Sequence, residues 1–323
     1  MSKSKSKDHT ETNTEDELTN EAKKFLDEEY HLKIIKFLGS GAYSKVYKAV
    51  DYDKVGYAIK VIEMDKQDED IRTEFIPREL QILSDVQDCC HPNIMMTFGY
   101  QPFDNYLFIF CELADGGDLI SVLDKTRDTD LDPQIIQQWY YQIASAVNHL
   151  HLLGIAHRDI KPDNVIICNG TAKLCDFGHA IYGVKYGSNG SYEMVMTDHA
   201  CGTLEYEAPE VIACELRNES YDAFIADSYS MGVVLYLMVT HDFPYNCENI
   251  DVDKTDDMDY HYNRVMNSEW TIEQKYKTDR LLLDLLTHLL EPSPLQRLHV
   301  FEILNHSWLS SDVSNNTWSL FGS

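Results

Sequence analysis

The first third of the chain carries short apolar stretches with polar breaks between them. Residues 31–38, 44–52 and 56–64 are rich in β-branched and aromatic side chains and are separated by Gly and Asp. Such stretches are typical of β-strands joined by turns. Residues 71–86 follow with apolar side chains at helical spacing, and residues 105–113 form another apolar stretch of strand length. The pattern predicts a small β-rich region with one main helix.

Longer helical patterns dominate the remainder of the chain. Residues 134–154 carry an apolar stripe made of Ile136, Trp139, Ile143, Val147 and Leu150. Residues 227–240 are apolar on nearly all sides, which predicts a helix buried in a core. Two shorter helical patterns lie at 281–294 and 300–308. With the Gly-containing turn at 114–118 as a hinge, we expect an α+β protein of two lobes, the second larger and mostly helical.

The charge of the chain argues against two classes of partner. Its 323 residues include 54 Asp plus Glu and 27 Lys plus Arg, which gives a formal net charge of -27. A protein that binds nucleic acid through phosphates needs a basic face, and an anionic membrane surface repels an acidic protein. We therefore expect no nucleic acid and no membrane among the partners. The longest apolar run, residues 229–239, is shorter than the roughly 20 residues that span a bilayer.

The cysteines and the N-terminal sequence bear on cellular location. No C-x-x-C pair and no zinc-ligand spacing occurs among the eight cysteines, so we expect buried free thiols. The first residues lack the apolar stretch of a secretory signal peptide. Both features favour a reducing intracellular location, the cytoplasm, with the nucleus as the alternative.

Two segments are strongly polar. Residues 1–30 are rich in Ser, Thr and acidic side chains, which predicts a disordered acidic tail with at most one helical turn near 21–29. Residues 241–260 contain 7 Asp plus Glu against 1 Lys. We interpret this second segment as a solvated surface insertion, and the alternative is a docking patch for a basic partner.

A glycine-rich segment, residues 38–46, lies between the first two predicted strands. Gly39 and Gly41 let the backbone approach a bound phosphate without interference from a Cβ atom. Ser44 stands where a third glycine is usual. Because the segment runs into a strand and not into a helix, it favours a loop that covers phosphates over a dinucleotide-binding βαβ unit.

Lys60 lies on the third predicted strand between the apolar Ile59 and Val61. A charge in such surroundings tends to need a partner. Glu79, on the helix that follows, can supply one. The pair would leave the ammonium group placed to hold nucleotide phosphates.

The strongest chemical pattern is the run of residues 157–164, HRDIKPDN, followed by DFG at 176–178. Asp159 can accept the proton of an attacking hydroxyl, and Lys161 can neutralise charge on a transferring group. Asn164 and Asp176 offer two oxygen ligands. Two such ligands together with triphosphate oxygens suit Mg²⁺, which rarely takes an all-protein cage.

This ordered set resembles the eukaryotic protein kinases, over roughly residues 31–309. The matching features are the glycine-rich loop, Lys60, Glu79, residues 157–164, residues 176–178, Ala208-Pro209-Glu210, residues 227–232 and Arg297, which would pair with Glu210. The resemblance implies a kinase domain with an N-lobe at 31–111, a hinge at 112–118 and a C-lobe at 119–309. Residues 310–323 would be a short C-terminal tail.

The kinase type can also be inferred by resemblance. Lys161 and the Gly202–Tyr206 segment are similar to the serine/threonine type and unlike tyrosine kinases. Residues 110–113 resemble the calcium/calmodulin-dependent kinase group, and residues 289–309 resemble the testis-specific serine kinases within it. Since the chain ends 14 residues after Leu309, we expect no calmodulin-binding tail.

The resemblance implies transfer of the γ-phosphoryl group of ATP to Ser or Thr of protein substrates. Asp159, Lys161 and Thr203 would be catalytic, with the Thr203 hydroxyl linking the other two, and Asn164 and Asp176 would hold Mg²⁺. The residues implied in nucleotide binding are Leu38, Gly39, Gly41, Val46, Ala58, Lys60, Glu79, Glu112, Ala114 and Ile166.

Substrate choice and activation are also suggested by resemblance. Asp118 and Asp163 would hold arginines that precede the target residue, and the alternative is that Asp118 only bonds the ribose. The loop from Asp176 to Glu210 offers hydroxyls for phosphorylation at Ser188, Ser191 and Thr197, with Thr197 favoured, and Arg158 as the residue that receives a phosphate. His199 stands at the usual threonine position, which weakens the case for activation by a single loop phosphate.

Three other interpretations compete. A pseudokinase would usually lack the strand lysine or one of the two key aspartates, and Lys60, Asp159 and Asp176 are all present. A small-molecule phosphotransferase would usually lack the peptide-facing segment that residues 202–210 supply. Cys175 could act as a redox sensor, but nothing near it in sequence clearly lowers the pKa of its thiol.

Overall fold

The computed structural model describes residues 18–41, 43–129, 131–187, 191–273, 276 and 279–310. The chain forms two compact units. The small unit consists of Met1–Lys66 and Phe98–Cys111, and the large unit consists of Gln67–Thr97 and Glu112–Ser323. Each unit has its own elements and its own buried side chains.

A five-stranded sheet forms the small unit, in the order β1-β2-β3-β5-β4. Its strands are β1 (Lys33–Ser40), β2 (Lys45–Val50), β3 (Gly56–Glu63), β4 (Thr97–Phe103) and β5 (Tyr106–Glu112). Adjacent strands β1, β2 and β3 run antiparallel. The four strands expected from the sequence are confirmed. Strand β4 escaped prediction because Gly99 and Pro102 interrupt it, and both residues are poor strand formers.

An N-terminal helix, α1 (Asn20–Tyr30), packs on this sheet. Its Ala22 and Leu26 are buried, as is Leu18 just before the helix, and the Phe25 ring stacks on the Phe103 ring with centroids 4.0 Å apart. The core that they share with the sheet consists of Leu18, Ala22, Leu26, Leu32, Tyr47, Ala49, Ile59, Val61, Tyr106, Phe108 and Phe110. The prediction of a disordered tail through residue 30 is therefore wrong for residues 18–30, whose apolar side chains recur at helical spacing. Residues 1–17 lie outside the described part.

The start of α1 is fixed by a side-chain cap. The hydroxyl oxygen of Thr19 accepts a hydrogen bond from the Ala22 N–H at 3.2 Å. Thr19→Ala is expected to lower the free energy of unfolding by about 1 kcal/mol, because an amide at the helix start loses its partner. Urea denaturation measures this change. Thr19→Ser keeps a capping hydroxyl and is the matched control; an equal loss in both variants would contradict the capping role.

Helices dominate the large unit. They are α2 (Ile76–Cys89), α3 (Leu119–Thr126), α4 (Pro133–Leu152), α5 (Pro209–Arg217), α6 (Ala223–Thr240), α7 (Thr255–Met266), α8 (Arg280–Leu289), α9 (Val300–Ile303) and α10 (Ser307–Ser310). A π-helical turn, Ile71–Phe75, precedes α2. The long helices expected from the sequence are confirmed, whereas α3, α5 and α7 were not anticipated.

Short strands carry the connections between these helices. They are β6 (Gly117–Asp118), β7 (Ile155–Ala156), β8 (Val165–Cys168), β9 (Thr171–Leu174), β10 (Ile181–Tyr182), β11 (Val184–Tyr186) and β12 (Tyr192–Met194). They form three small sheets, β6-β8-β9, β10-β7 and β11-β12. The first two of these sheets contain the residues at which the loops with the candidate catalytic residues begin and end.

The core of the large unit is built around α4 and α6. The predicted apolar stripe of α4 is buried from Ile136 to Leu150. By length and composition α6 is the one helix among the described residues that could cross a membrane, but 83% of it is buried inside the structure. Burial on this scale is that of a core helix, as the sequence predicted.

Two further expectations need correction. Four cysteines, Cys111, Cys168, Cys214 and Cys247, are buried and form no disulfide, but Cys89 and Cys90 at the end of α2 are exposed. Residues 241–260 are not simply a solvated insertion, because the segment buries the side chains of Tyr245, Cys247 and Met258 and forms the first half of α7.

An ion pair joins α5 to the segment that precedes α9. The Arg297 guanidinium donates through both terminal nitrogens to the Glu210 carboxylate, with Nη2 and Oε2 2.9 Å apart. Arg297 is 3% exposed and also donates to the carbonyl oxygens of Glu291, Pro292 and Ile225. The pairing expected between these two side chains is present.

Candidate active site

The loop after β7 is anchored by a buried carboxylate on α6. Asp227, 1% exposed, accepts from the backbone N–H of His157 at 2.9 Å and from that of Arg158 at 2.8 Å. The His151 ring nitrogen also lies 2.9 Å from this carboxylate. Arg158 adopts a φ of 66°, a left-handed conformation that costs free energy outside glycine. The hydrogen bonds to Asp227 hold this conformation and so fix the position of Asp159.

Asp159 lies at the centre of a hydrogen-bonded cluster. Its Oδ2 accepts from the Asn164 Nδ2 at 2.8 Å and lies 2.9 Å from the Lys161 Nζ. The Thr203 hydroxyl lies 3.3 Å from Asp159 Oδ1 and accepts from the Lys161 Nζ at 2.8 Å. The structure thus brings together the three residues predicted to be catalytic. A carboxylate that is 8% exposed and held beside an ammonium group is suited to accept a proton from a bound alcohol.

The two predicted magnesium ligands lie on neighbouring segments of this cluster. The Asn164 carbonyl accepts from the Cys175 N–H at 2.9 Å, which places residue 175, and with it Asp176, beside Asn164. Asp176 has a φ of 61°, and its Oδ1 lies 3.3 Å from the Gly178 N–H. Phe177 is buried with its ring edge-on to His157, at a centroid distance of 5.5 Å. These contacts set the direction of the Asp176 backbone.

The chemistry of these two ligands fits Mg²⁺. The Asn164 NH₂ group donates to both the backbone and the side chain of Asp159, so a metal would take the carboxamide oxygen. Asp176 adds a carboxylate. Within the described ranges no group of three or more His, Cys, Asp or Glu forms a metal cage. A magnesium ion held by one or two protein oxygens and completed by phosphate and water is the usual arrangement.

The predicted nucleotide-binding residues of the small unit share one face of the sheet. Val46 pairs with Lys60 across β2 and β3, and Ala58 lies two residues before Lys60 on the same face. Ile59 and Val61 point to the opposite face and enter the core with α1. Lys60 is therefore kept out of the hydrophobic core, and its Nζ lies 5.4 Å from the centroid of the Tyr43 ring.

The glycine-rich segment closes the turn between β1 and β2. Gly39 pairs with Val46 next to a register shift in β1, and the Gly41 N–H donates to the Ser44 carbonyl at 2.8 Å. No heavy atom outside its immediate neighbours lies within 4 Å of a Cβ built on Gly39. Leu38 is 43% exposed on the same segment. The turn leads into a strand, as expected for a loop that covers phosphates.

The large unit holds the other predicted nucleotide-binding residues. The Glu112 N–H donates to the Met96 carbonyl at 3.0 Å, and its carboxylate accepts from the Lys173 Nζ at 2.7 and 2.9 Å. The Glu112 N–H and carboxylate are thus committed to contacts within the large unit. Ala114 and Ile166 are half-buried. Glu79 is 2% exposed on α2, and its pairing with Lys60 stays a prediction.

The loop between Asp176 and Glu210 is held by backbone contacts. Thr197 and Tyr221 exchange two backbone hydrogen bonds, of 3.0 and 2.9 Å. The Arg158 guanidinium donates to the His199 carbonyl, which also accepts from the Tyr221 hydroxyl at 3.2 Å. Arg158 therefore already has a partner within the loop. Ser191 is exposed, and Ser188 lies outside the described residues.

The two carboxylates expected to hold arginine differ in their surroundings. Asp118 caps α3, since its Oδ1 accepts from the Ser121 N–H at 2.7 Å. Loss of water around the Asp163 carboxyl raises its pKa, and the nearby Asp118 and Asp159 carboxylates act in the same direction. One oxygen of Asp118 is thus committed to structure, while Asp163 lies in a field that favours a cationic neighbour.

One charged residue near this cluster is not singled out by the sequence pattern. Glu207 follows Tyr206 and precedes the buried Ala208. Its Oε2 atom is buried with no hydrogen-bond partner among the described residues. In the sequence Glu207 is one of three glutamates within residues 205–210, and this pattern alone cannot tell a surface residue from a buried one.

Comparison with known proteins is consistent with this geometry. A family model described as "Protein kinase domain" matches residues 32–309. Testis-specific serine/threonine-protein kinase 2 of Mus musculus is 32% identical over 279 residues, which cover 84% of this chain and 71% of that protein. Testis-specific serine/threonine-protein kinase 1 of Homo sapiens is 32% identical over 275 residues, covering 84% of this chain and 70% of that protein.

A second group of relatives is longer. CBL-interacting protein kinase 12 of Oryza sativa subsp. japonica is 31% identical over 276 residues, which cover 84% of this chain but 46% of that protein. Because the family model covers most of the chain and the aspartate, lysine, asparagine and threonine of its motifs meet in one hydrogen-bonded cluster, the chain belongs to the protein kinase domain family.

Proposed function

We infer that this protein kinase transfers the γ-phosphoryl group of ATP to serine and threonine hydroxyls of protein substrates. The observation that carries the proposal is the cluster in which Asp159 is bound by Lys161, Asn164 and Thr203. The relatives described above carry serine/threonine kinase in their names. These names support serine and threonine, and not tyrosine, as the residues that accept the phosphoryl group.

The reaction is an in-line displacement at the γ-phosphorus. The substrate oxygen forms a bond to phosphorus, the bond to the β–γ bridging oxygen breaks, and ADP leaves. Asp159 takes the hydroxyl proton and aims the oxygen, and Lys161 stabilises charge on the transferring group. The Thr203 hydroxyl holds the Asp159 and Lys161 side chains in position relative to each other. Most of the barrier reduction comes from positioning and charge neutralisation.

Magnesium fits the oxygen ligands Asn164 and Asp176, and when bound it supplies positive charge to the phosphate oxygens. We propose that Lys60 holds phosphate oxygens and that the Gly39 and Gly41 backbone covers them. The carbonyl of Glu112 and the backbone of Ala114 are proposed to bind the adenine edge. Leu38, Val46, Ala58 and Ile166 are proposed to contact its faces, and Glu79 to orient Lys60.

The test is a phosphotransfer assay with the purified full chain. Radiolabelled ATP, Mg²⁺ and matched Ser, Thr and Tyr peptides are incubated, and label in each peptide is counted. We expect label in Ser and Thr peptides, a much weaker signal in Tyr peptides, and loss of label when EDTA removes the metal. Nucleotide binding without transfer to any peptide would instead indicate a pseudokinase. Labelling of small molecules but not of peptides would indicate a small-molecule phosphotransferase.

We propose in addition that the Asp118 and Asp163 carboxylates favour arginine upstream of the target residue. The closeness of the Asp118 and Asp159 carboxylates to Asp163 supports this preference, because a cation there would meet several negative groups. A peptide array in which each upstream position is arginine or alanine measures it. We expect the arginine peptides to be phosphorylated faster, and equal rates at every upstream position would contradict the proposal.

A further inference from the structure

A small cavity lies between the loop that carries Asp159 and the segment before α5. Its lining includes Arg158, Asp159, Gly202 and Glu207. Its interior leaves about 20 Å³ for the centre of a water molecule. A polar cavity holds a water molecule when this volume exceeds about 10–15 Å³ and polar partners are present. The cavity therefore has room for about one water molecule and is too small for a ligand side chain.

Two buried polar atoms of opposite character belong to side chains that line this cavity. Arg158 Nε is a donor and Glu207 Oε2 is an acceptor, and neither has a hydrogen-bond partner among the described residues. Leaving a buried donor or acceptor unsatisfied is costly, and ordered water satisfies many such groups in native proteins. One water molecule that accepts from Nε and donates to Oε2 would satisfy both atoms.

The cavity also offers a third partner for that water molecule. Ser230 lines it, and the Ser230 hydroxyl donates its proton to the Tyr206 carbonyl at 2.8 Å. The hydroxyl oxygen can therefore accept the second proton of the water. Buried waters typically make about three hydrogen bonds, so the set of partners is of the usual size.

Arg158 connects the cavity to the candidate catalytic aspartate. It directly precedes Asp159, and its φ of 66° is held by the bond from its N–H to Asp227. A Cβ on Gly202 would lie 3.1 Å from the Arg158 carbonyl oxygen, so the backbone before α5 packs directly on this residue. A contact that fixes the Arg158 side chain against that segment therefore also helps to fix Asp159.

The charges around Glu207 are mostly negative. Burial raises the pKa of the Glu207 carboxyl to about 7, and the nearby carboxylates that act in the same direction are Glu215, Glu205 and Asp159. Arg158 is the cation among the described residues that line the cavity. A cation joined through one water molecule favours the ionised carboxylate.

The other titratable groups of the cavity keep one charge near neutral pH. The Asp227 carboxylate is bound by the backbone N–H groups of residues 157 and 158. Burial raises the pKa of the Cys201 thiol to about 11 and raises the pKa of the Tyr206 and Tyr221 phenols. These three groups therefore stay neutral at the pH at which Glu207 gains its charge.

We propose that one buried water molecule joins the Arg158 guanidinium to the Glu207 carboxylate, and that this bridge makes Glu207 a positioning residue for Asp159. The inference rests on the proposed function, because its kinetic readout is phosphoryl transfer. Glu207 takes no part in the proton transfer. The bridge gives Arg158 an anionic partner from the chain itself, so that a phosphorylated loop residue is not needed to hold it.

A crystal structure of the full chain at pH 8, at a resolution that shows ordered water, tests the bridge directly. We expect density for one water molecule within about 3.2 Å of both Arg158 Nε and Glu207 Oε2. An empty cavity would overturn the inference. Direct contact between the two side chains without a water molecule would overturn it as well.

The positioning role is tested by kinetics on the full chain after phosphatase treatment, with the same serine peptide throughout. Glu207→Leu leaves Arg158 Nε without its partner and is expected to lower kcat about tenfold, with the KM for peptide unchanged. In an Arg158→Met background the same change is expected to alter kcat by about twofold or less, because the bridge is already lost. A tenfold effect in both backgrounds would overturn the coupling.

Glu215→Leu is the matched control, since Glu215 is an exposed acidic residue on α5 that does not line the cavity. It is expected to change kcat by about twofold or less in either background, which separates the bridge from a general loss of negative charge. A tenfold fall in this control would show that the effect is not specific to Glu207.

The pH profile of kcat supplies a readout that a merely structural role would not move. Wild type is expected to gain activity with a midpoint near pH 7, as Glu207 ionises and pairs with Arg158. Glu207→Gln keeps the size of the side chain, removes its charge, and is expected to lose this midpoint. A profile shared by wild type and Glu207→Gln would overturn the inference.

Should the variants fail to fold, the crystal structure and the wild-type pH profile still decide, since absence of the water molecule or of the midpoint rejects the bridge. Activity that appears only before phosphatase treatment would show that the bridge does not suffice to position Asp159. No label in any peptide, with or without treatment, would reject the proposed function itself.

Discussion

Replacing Asp159 with asparagine is expected to lower kcat by about 10²–10⁴-fold, the usual contribution of a general base. The amide cannot accept the proton of the substrate hydroxyl. Its oxygen can still accept from Asn164 and Lys161, and its NH₂ group can donate to the Thr203 hydroxyl. The cluster therefore has a way to keep its hydrogen bonds, and the fold is expected to survive.

The measurement is the rate of label transfer at saturating ATP and peptide, together with nucleotide affinity and the thermal midpoint of unfolding. Asp253→Asn makes the same chemical change at an exposed site and serves as the control. An Asp159→Asn variant that phosphorylates peptides at the wild-type rate would show that Asp159 is not the general base. A large fall in the thermal midpoint would show that the variant reports on folding instead.

Replacing Arg297 with methionine is expected to lower the free energy of unfolding of the large unit by about 3–5 kcal/mol, the usual cost of breaking a buried ion pair. The change leaves the Glu210 carboxylate without its partner, and that side chain is only 13% exposed. It also removes the donors to the carbonyl oxygens of Glu291, Pro292 and Ile225. Methionine keeps much of the side-chain volume, so the loss reports on charge and hydrogen bonds.

Urea denaturation of Arg297→Met and of a control variant provides the measurement. Arg280→Met changes an exposed arginine at the start of α8 and is expected to cost far less. The double variant Arg297→Met, Glu210→Leu is expected to recover part of the loss, because it no longer buries an unpaired carboxylate. Equal losses at positions 297 and 280 would show that the Glu210–Arg297 pair contributes little.

The sequence pattern predicts elements well where one periodicity persists over several turns. The stripe on α4 and the all-round apolar α6 are long enough for the helical repeat to be clear. Strand β4 and helix α7 are harder, since their residues alternate with polar, glycine or acidic positions that also suit loops. Both are held by packing against neighbours that a local window of sequence does not contain.

Helix α1 shows the same limit at the N-terminus. Its mean composition is polar, and composition alone favours a tail. The four apolar side chains of residues 18–26 favour a helix because they cover a face of the sheet. That face includes Tyr47, Ile59, Phe108 and their neighbours. The free energy of burying that face orders the helix.

Within the candidate site, the order and spacing of Asp159, Lys161, Asn164 and Asp176 in the chain identify the chemistry, because few sequences place these side chains in this order. Thr203 and Asp227 join the first cluster over a large separation in sequence, and only the tertiary structure shows the distances. The sequence and the structure differ most for Glu207, because the sequence shows its charge but only the structure shows that its Oε2 atom is buried.

The sequence by itself determined the family, the reaction class and the side chains able to perform it, because functional groups are fixed by residue type and their order survives as a motif. Tertiary structure decided that residues 18–30 belong to the small unit, that Arg158 is turned to the His199 carbonyl, and that a carboxylate with a buried oxygen, Glu207, lies beside Asp159. Burial and hydrogen bonding depend on neighbours brought together by folding. The order of residues along the chain does not show which distant residue will exclude water from a given side chain.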